Sequence, residues 1–334
     1  MAVAGTFTVR PPSERRPWVG ALGWAGGALL GAVLLVAALA KALDPAAFAE
    51  EITALGLAGP LPPFGLAVAV LGLETALGVA LVVNLRRLPV LLAASLLVLA
   101  FLAITGRTAW RVAQGLDDPG AGCGCFGNLV DRTPAEALRQ DLMMLVPTLA
   151  LAWLGRPGAR ARIRLRTAGA VAAGLLTAGF AAAAPGLPLD DLATRLRPGT
   201  ELAGICAGRD AERVCLGDLA PGLASGAHLV VIADVDGEGF EQVAGALNAW
   251  ARSGGEPPVS LLAEIAPERR QQLLWTIGPA FELQDAPRAM LRPLHRALPR
   301  SFRVEDGIVT ETWAGLPPAV ASHRDPTIHE DPNA

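Results

Sequence analysis

Apolar and polar positions follow two different rhythms along the chain. Up to about Leu187 there are long apolar runs with short polar breaks, and beyond it the mixed pattern of a soluble domain. Five runs approach the roughly 20 residues that a helix needs to cross a bilayer core. They are Trp18–Leu43, Pro63–Leu85, Leu88–Ala109, Leu138–Leu154 and Thr167–Leu187. The fourth is short and carries Pro147. The first is too long for the apolar core of a signal peptide, so no cleavage is expected. Between the first two runs, Asp44–Pro62 reads as a short interfacial helix closed by Gly59-Pro60.

After Leu187 the periodicity changes. Glu201–Leu216 predicts a hairpin turning near Asp210, and His228–Ala233 is an apolar run of strand length. Phe240–Ala251 and Pro267–Ile277 read as helices flanking a strand over Val259–Glu264. Ser301–Val304 and Ile308–Thr312 frame Glu305-Asp306-Gly307, a hairpin turn signal. Strand–helix–strand–helix followed by a hairpin predicts an α/β layer structure.

Composition agrees with this division. Of 334 residues 52% are hydrophobic and 18% charged, which is too apolar for two ordinary soluble domains. A net charge of −3 gives no reason to expect nucleic acid as a partner. The basic residues instead report topology. With the N-terminus inside, ten fall on inner segments: Arg10, Arg15, Arg16, Arg86, Arg87, Arg156, Arg160, Arg162, Arg164 and Arg166. Five fall on the outer loops: Lys41, Arg107, Arg111, Arg132 and Arg139. The positive-inside rule then predicts a cytoplasmic N-terminus and, after five spans, an extracytoplasmic C-terminal domain.

Only four cysteines occur, all in segments placed outside the cytoplasm, where disulfides persist. Cys123 and Cys125 lie in the glycine-rich loop Asp117–Gly127. A bridge between them requires a sharp bend, which Gly124 permits, and strained exposed disulfides exchange readily. Thiol–disulfide exchange is therefore one reading. A structural staple, or two thiols each paired elsewhere, is the other. A metal site is not expected, because two sulfurs fall short of the usual four ligands and no histidine precedes His228.

Cys206 and Cys215 stand symmetrically about the predicted turn, which suits a structural cross-strand disulfide; a pair exchanging with the Cys-Gly-Cys loop is the sharper alternative. Glu74 falls mid-span, where an ionisable residue marks either a functional site or a carboxyl bonded to a neighbouring helix. Lys41 and Arg107 read as interfacial residues, either at the mouth of a quinone pocket or as anchors with their charged heads in the polar layer. No motif specifies a quinone or any other cofactor. His228, His295, His323 and His329 are too scattered to form a catalytic dyad by spacing.

Lys41-Ala-Leu-Asp44-Pro45-Ala-Ala-Phe48, Leu73-Glu74-Thr-Ala-Leu-Gly78 and Cys123-Gly-Cys-Phe-Gly127 together resemble the MauE branch of the DoxX-like membrane proteins, over roughly residues 20–155. The resemblance implies a four-helix membrane bundle associated with extracytoplasmic disulfide chemistry and with methylamine utilisation, and it makes Cys123 and Cys125 the redox pair. The C-terminal part resembles a thioredoxin-like fold of the TlpA type. His228–Ala233 and its following helix match the first core strand and helix. Leu298-Pro299-Arg-Ser-Phe302 with Asp306-Gly307 matches the proline-then-hairpin segment, which makes Pro299 a cis-proline candidate. Where that fold carries Cys-x-x-Cys, this chain has Asp236-Gly-Glu-Gly239, which cannot exchange disulfides.

The expected fold class is a membrane all-α four-helix bundle plus one extra transmembrane helix, followed by a soluble α/β thioredoxin-like domain. The expected divisions are a cytoplasmic arm (1–17), the bundle (18–155), a basic linker with the fifth helix (156–190), the thioredoxin-like domain (191–318) and a disordered tail (319–334). The expected protein sits in the cytoplasmic membrane. It supports exchange or maturation of an extracytoplasmic protein client, in some cases with a separate thioredoxin-like partner. A non-catalytic assembly scaffold, and a quinone-linked oxidoreductase subunit acting on a small sulfur compound, are the alternative functions.

Overall fold

The computed structural model describes residues 17–116, 133–154, 162–208 and 213–322. Cys123 and Cys125 lie outside these residues. The N-terminal region is helical: α1 (Pro17–Ala42), α2 (Pro45–Ala54), α3 (Pro63–Val82), α4 (Leu88–Ala113), α5 (Pro134–Trp153) and α6 (Ile163–Ala183). Proline opens α2, α3 and α5, where its missing N–H costs nothing. Asp44 caps α2 by accepting from the Ala47 amide, and Thr133 with Glu136 forms a capping box on α5.

Among the described residues four helices are long and apolar enough to cross a membrane: Trp18–Ala42, Pro63–Val82, Leu88–Ala113 and Ile163–Gly186. Of the five expected runs, Leu138–Leu154 is the one not among these by length and composition. The fourth run does form a 20-residue helix, α5, but Glu136, Arg139 and Asp141 occupy its first turns and lower its apolar character. It packs against α1 and α4 nonetheless.

Neighbouring helices of the bundle run antiparallel. Lys41 of α1 meets Glu74 of α3, whereas Gly31 meets Gly78. Trp153 of α5 donates to Ser95 of α4 at one end, and Leu138 lies beside Gly106 at the other. Small residues set the spacing. A Cβ on Gly31 would fall 2.5 Å from the Gly78 carbonyl oxygen, and one on Gly72 3.0 Å from that of Gly174 on α6. Backbones this close are the usual packing solution where lipid supplies no hydrophobic drive between helices. At the end of the bundle where α1 begins, Arg86 is 3% exposed and donates to the Ala152 and Leu154 carbonyls (3.2 and 2.9 Å). It thereby satisfies backbone acceptors that the end of α5 would otherwise bury unpaired.

The C-terminal region is α/β. After α7 (Asp190–Ala193), a two-stranded ribbon pairs β1 (Cys206–Ala207) with β2 (Val214–Cys215), followed by α8 (Leu216–Leu219). Then come β3 (Ala227–Ile232), α9 (Phe240–Arg252), β4 (Val259–Ala263), α10 (Pro267–Thr276), β5 (Glu282–Asp285), α11 (Arg288–Leu291), β6 (Arg300–Glu305), β7 (Ile308–Ala314) and α12 (Pro318–Ala321). The five-stranded sheet has the order β5-β4-β3-β6-β7, with β3, β4 and β5 parallel and β6 and β7 antiparallel to their neighbours. Successive side chains point to opposite faces of a strand, so β3 feeds two cores. Val230 and Ile232 pack with Leu216, Met290 and Phe302 on one face; Leu229 and Val231 pack with Leu247, Trp250 and Leu273 on the other. The expected tail at 319–334 is corrected at its start, because α12 buries Val320 in the second core.

The α/β domain rests on the end of the bundle that carries α2. Arg296 donates to the carbonyls of Ala184 (2.7 Å) and Leu187 (3.1 Å), capping the C-terminal end of α6. Arg292 pairs with Glu50 of α2 at 2.9 Å. Arg300, 3% exposed, pairs with Asp191 at 2.9 Å and tethers α7 to the sheet.

Candidate functional site

Two arrangements gather the polar side chains, and both lie at the same end of the bundle. The first is inside it. Lys41, in the last turn of α1, points inward and places Nζ 2.7 Å from Glu74 Oε1. Its ammonium also lies 4.7 Å from the Phe101 ring centroid and 4.8 Å from that of Phe48. Both partners are enclosed, at 2% and 0% exposure, so the charged head of Lys41 sits among the helices. A carboxylate 33 residues away in sequence draws the ammonium inward, and two aromatic faces complete its shell. Glu74 is bonded through Oε1 to a neighbouring helix, and among the described residues its Oε2 has no hydrogen-bond partner. Arg107, by contrast, is exposed near the end of α4.

Next to this pair, α2 presents Asp44, Glu50 and Glu51. Burial pushes the Glu51 carboxyl up to about 7, against the opposing pull of Lys41 and Arg292. Asp44 is also raised by burial, partly offset by its bond from the Ala47 amide.

The second arrangement is a cleft of about 2040 Å³ at the C-terminal ends of β3 and β4, with Glu50 of the bundle on its wall. Open parallel sheets bind ligands at this edge. Its floor is the Asp234–Gly239 loop, where Asp236 pairs with Arg269 (2.8 Å) and Asp234 Oδ1 accepts from the Asp236 amide (2.9 Å). Opposite stand His295 and the Leu298–Pro299 segment, whose peptide is cis. Burial, reinforced by Arg292 and Arg288, lowers the His295 imidazole to about 4, so it is neutral at pH 7. No cysteine among the described residues lines the cleft. Among the described residues no cluster of His, Cys, Asp or Glu could hold a metal ion.

Cys206 and Cys215 are joined by a disulfide across the ribbon, directly opposite one another in register. Cys123 and Cys125 belong to the segment between α4 and α5. The described chain leaves α4 and enters α5 at the end of the bundle that carries the α/β domain.

Residues 19–154 match the family model described as methylamine utilisation protein MauE. The match runs from α1 through α5 and takes in Lys41, Glu74, Cys123 and Cys125; it stops before α6 and the α/β domain. No curated protein and no solved structure gives a significant match. The MauE match and the apolar helices make this a membrane protein. Sequence reasoning did single out Lys41 and Glu74 but not their union. Glu51 and the His295 wall were missed, since nothing local marks a carboxyl or an imidazole that a distant element will bury.

Proposed function

We propose that this chain is an integral membrane redox-associated protein of the MauE type, supporting thiol–disulfide exchange or maturation of disulfide-containing clients. Cys123 and Cys125 are the exchange pair in this reading, and the C-terminal domain is a thioredoxin-like module that holds the client. The observation that carries it is the MauE match across 19–154, with α4 ending and α5 beginning at the end of the bundle that bears the α/β domain. Support for a thioredoxin-like module comes from the sheet, in which a parallel strand–helix–strand unit is followed by an antiparallel hairpin on the β3 side. Asp236-Gly-Glu-Gly239 occupies the turn between β3 and α9, so this cleft binds rather than exchanges.

The arginine bias across the bundle favours a cytoplasmic N-terminus, which puts the cleft and the cysteines outside, in the compartment where disulfides are stable. Single Cys123→Ser and Cys125→Ser variants test the proposal through the redox state of extracytoplasmic thiol proteins. Trapped mixed disulfides, or lost client oxidation, are expected. Unchanged client oxidation in both variants, with assembly lost only on deletion of 190–334, would replace exchange by a scaffold role.

A further inference from the structure

The Cys206–Cys215 disulfide has surroundings that a purely structural bridge does not need. The Arg213 guanidinium Nη2 lies 3.4 Å from Cys206 Sγ. Both cysteines are partly exposed. The ribbon also borders the cleft: Val214, adjacent to Cys215, is on its wall, and β1 packs against α11, whose Arg288 and Leu291 are on the same wall. A cation beside one sulfur of a pair lowers the cost of forming a thiolate there, and a better-stabilised thiolate leaves faster when the disulfide is attacked. Among the described residues the Ala203 carbonyl oxygen also lies near Cys206 Sγ, at 3.3 Å, a neutral dipole that opposes the full charge of Arg213 only in part.

We propose that Cys206–Cys215 is a second exchange-active pair, serving a protein dithiol bound in the adjacent cleft, with Cys206 as the sulfur released next to Arg213. A client thiolate attacks Cys215 Sγ, forming a client–Cys215 bond and breaking the Cys206–Cys215 bond. Cys206 departs as a thiolate held by Arg213. The client's second thiolate then attacks its own sulfur in the mixed disulfide and releases Cys215. Two electrons pass from client to pair, the client gains one disulfide, and the two client protons end on the released cysteines or in solvent. The reverse sequence re-oxidises the pair at the expense of another disulfide. This places the chemistry of the α/β domain on its ribbon rather than in the β3–α9 turn. It deepens the exchange reading above, and its test is built so that the two can fail separately.

The test uses the full chain in lipid nanodiscs with Cys123→Ser and Cys125→Ser in place, so only one pair remains. Samples equilibrated in reduced and oxidised glutathione mixtures are quenched, alkylated and read by mass. The pair should pass from disulfide to dithiol within the range of these mixtures, since structural bridges resist the glutathione pool. Arg213→Gln should demand a mixture at least roughly threefold more reducing, because the thiolate loses its counter-charge. Arg213→Lys should restore most of the original midpoint. A pair that stays oxidised in every mixture, or coincident titrations for the parent and Arg213→Gln, would overturn the proposal. Failure here leaves the role of Cys123 and Cys125 untouched, because neither is present.

Discussion

The bundle and the α/β domain solve the problem of a stable interior in opposite ways. The α/β domain uses two apolar cores on the faces of one sheet, filled by large side chains such as Phe302, Leu247 and Trp250. The bundle brings backbones together through Gly31, Gly78, Gly72 and Gly174 and encloses an ion pair, Lys41–Glu74, among its helices. A sheet domain in water gains from every large apolar group it hides. Helices in lipid gain little from that exchange, so close contact and polar pairing carry more of their specificity.

The largest expected effects contrast these interiors. Glu74→Ala leaves the Lys41 ammonium enclosed without a counter-charge and should cost about 3–5 kcal/mol in unfolding of the bundle. Replacing both partners, Lys41→Met with Glu74→Leu, should cost far less or even stabilise, because no uncompensated charge remains. Phe302→Ala should cost a similar 3–5 kcal/mol, but in unfolding of the α/β domain and through a cavity. Heat denaturation followed separately in the two regions reads all three. Equal losses for Glu74→Ala and the double variant would show that the pair is not an enclosed unit.

A smaller effect sharpens the boundary between the regions through pH. Glu51 has its carboxyl raised from 4.5 to about 7, so the protonated form suits the fold. Its contribution is fully present below about pH 4.5 and is lost as pH rises through 7. His295 is lowered from 6.5 to about 4, so its neutral form suits the fold. That contribution is present above 6.5 and lost as pH falls through 4. The two slopes oppose each other over nearly the same window, each limited to about 3 kcal/mol. Melting temperatures measured from pH 4 to 8 should therefore vary little in the parent, fall with rising pH in His295→Gln and fall with falling pH in Glu51→Gln.

The smallest effect concerns the contact between the regions. The Glu50 side chain is 63% exposed in its pair with Arg292, so Glu50→Gln should change stability by about 0–1 kcal/mol and less at high salt. A larger loss would mean that this one contact, rather than Arg296 on the end of α6, fastens the domain to the bundle.

Much of the architecture was legible along the chain. The runs that became α1, α3, α4 and α6 needed only length and hydropathy, and the apolar run that became β3 and the Asp306-Gly307 turn needed only local pattern. β5 escaped because Glu-Leu-Gln-Asp is polar and four residues long, and it becomes a strand only through pairing with β4. The amphiphilic start of α5 was visible in its letters but not its accommodation against α1 and α4.

What the sequence determined by itself is therefore everything governed by near neighbours: apolar length, strand alternation, caps, turns and the count of cysteines. Only the tertiary structure decided which charges are enclosed and with whom. It set Lys41 against Glu74 across 33 positions, Arg213 against the Cys206 sulfur across a ribbon, and His295 against the turn after β3. Burial and Coulomb energy depend on distance in space and on the water removed from between two groups, and neither quantity is written in the order of residues.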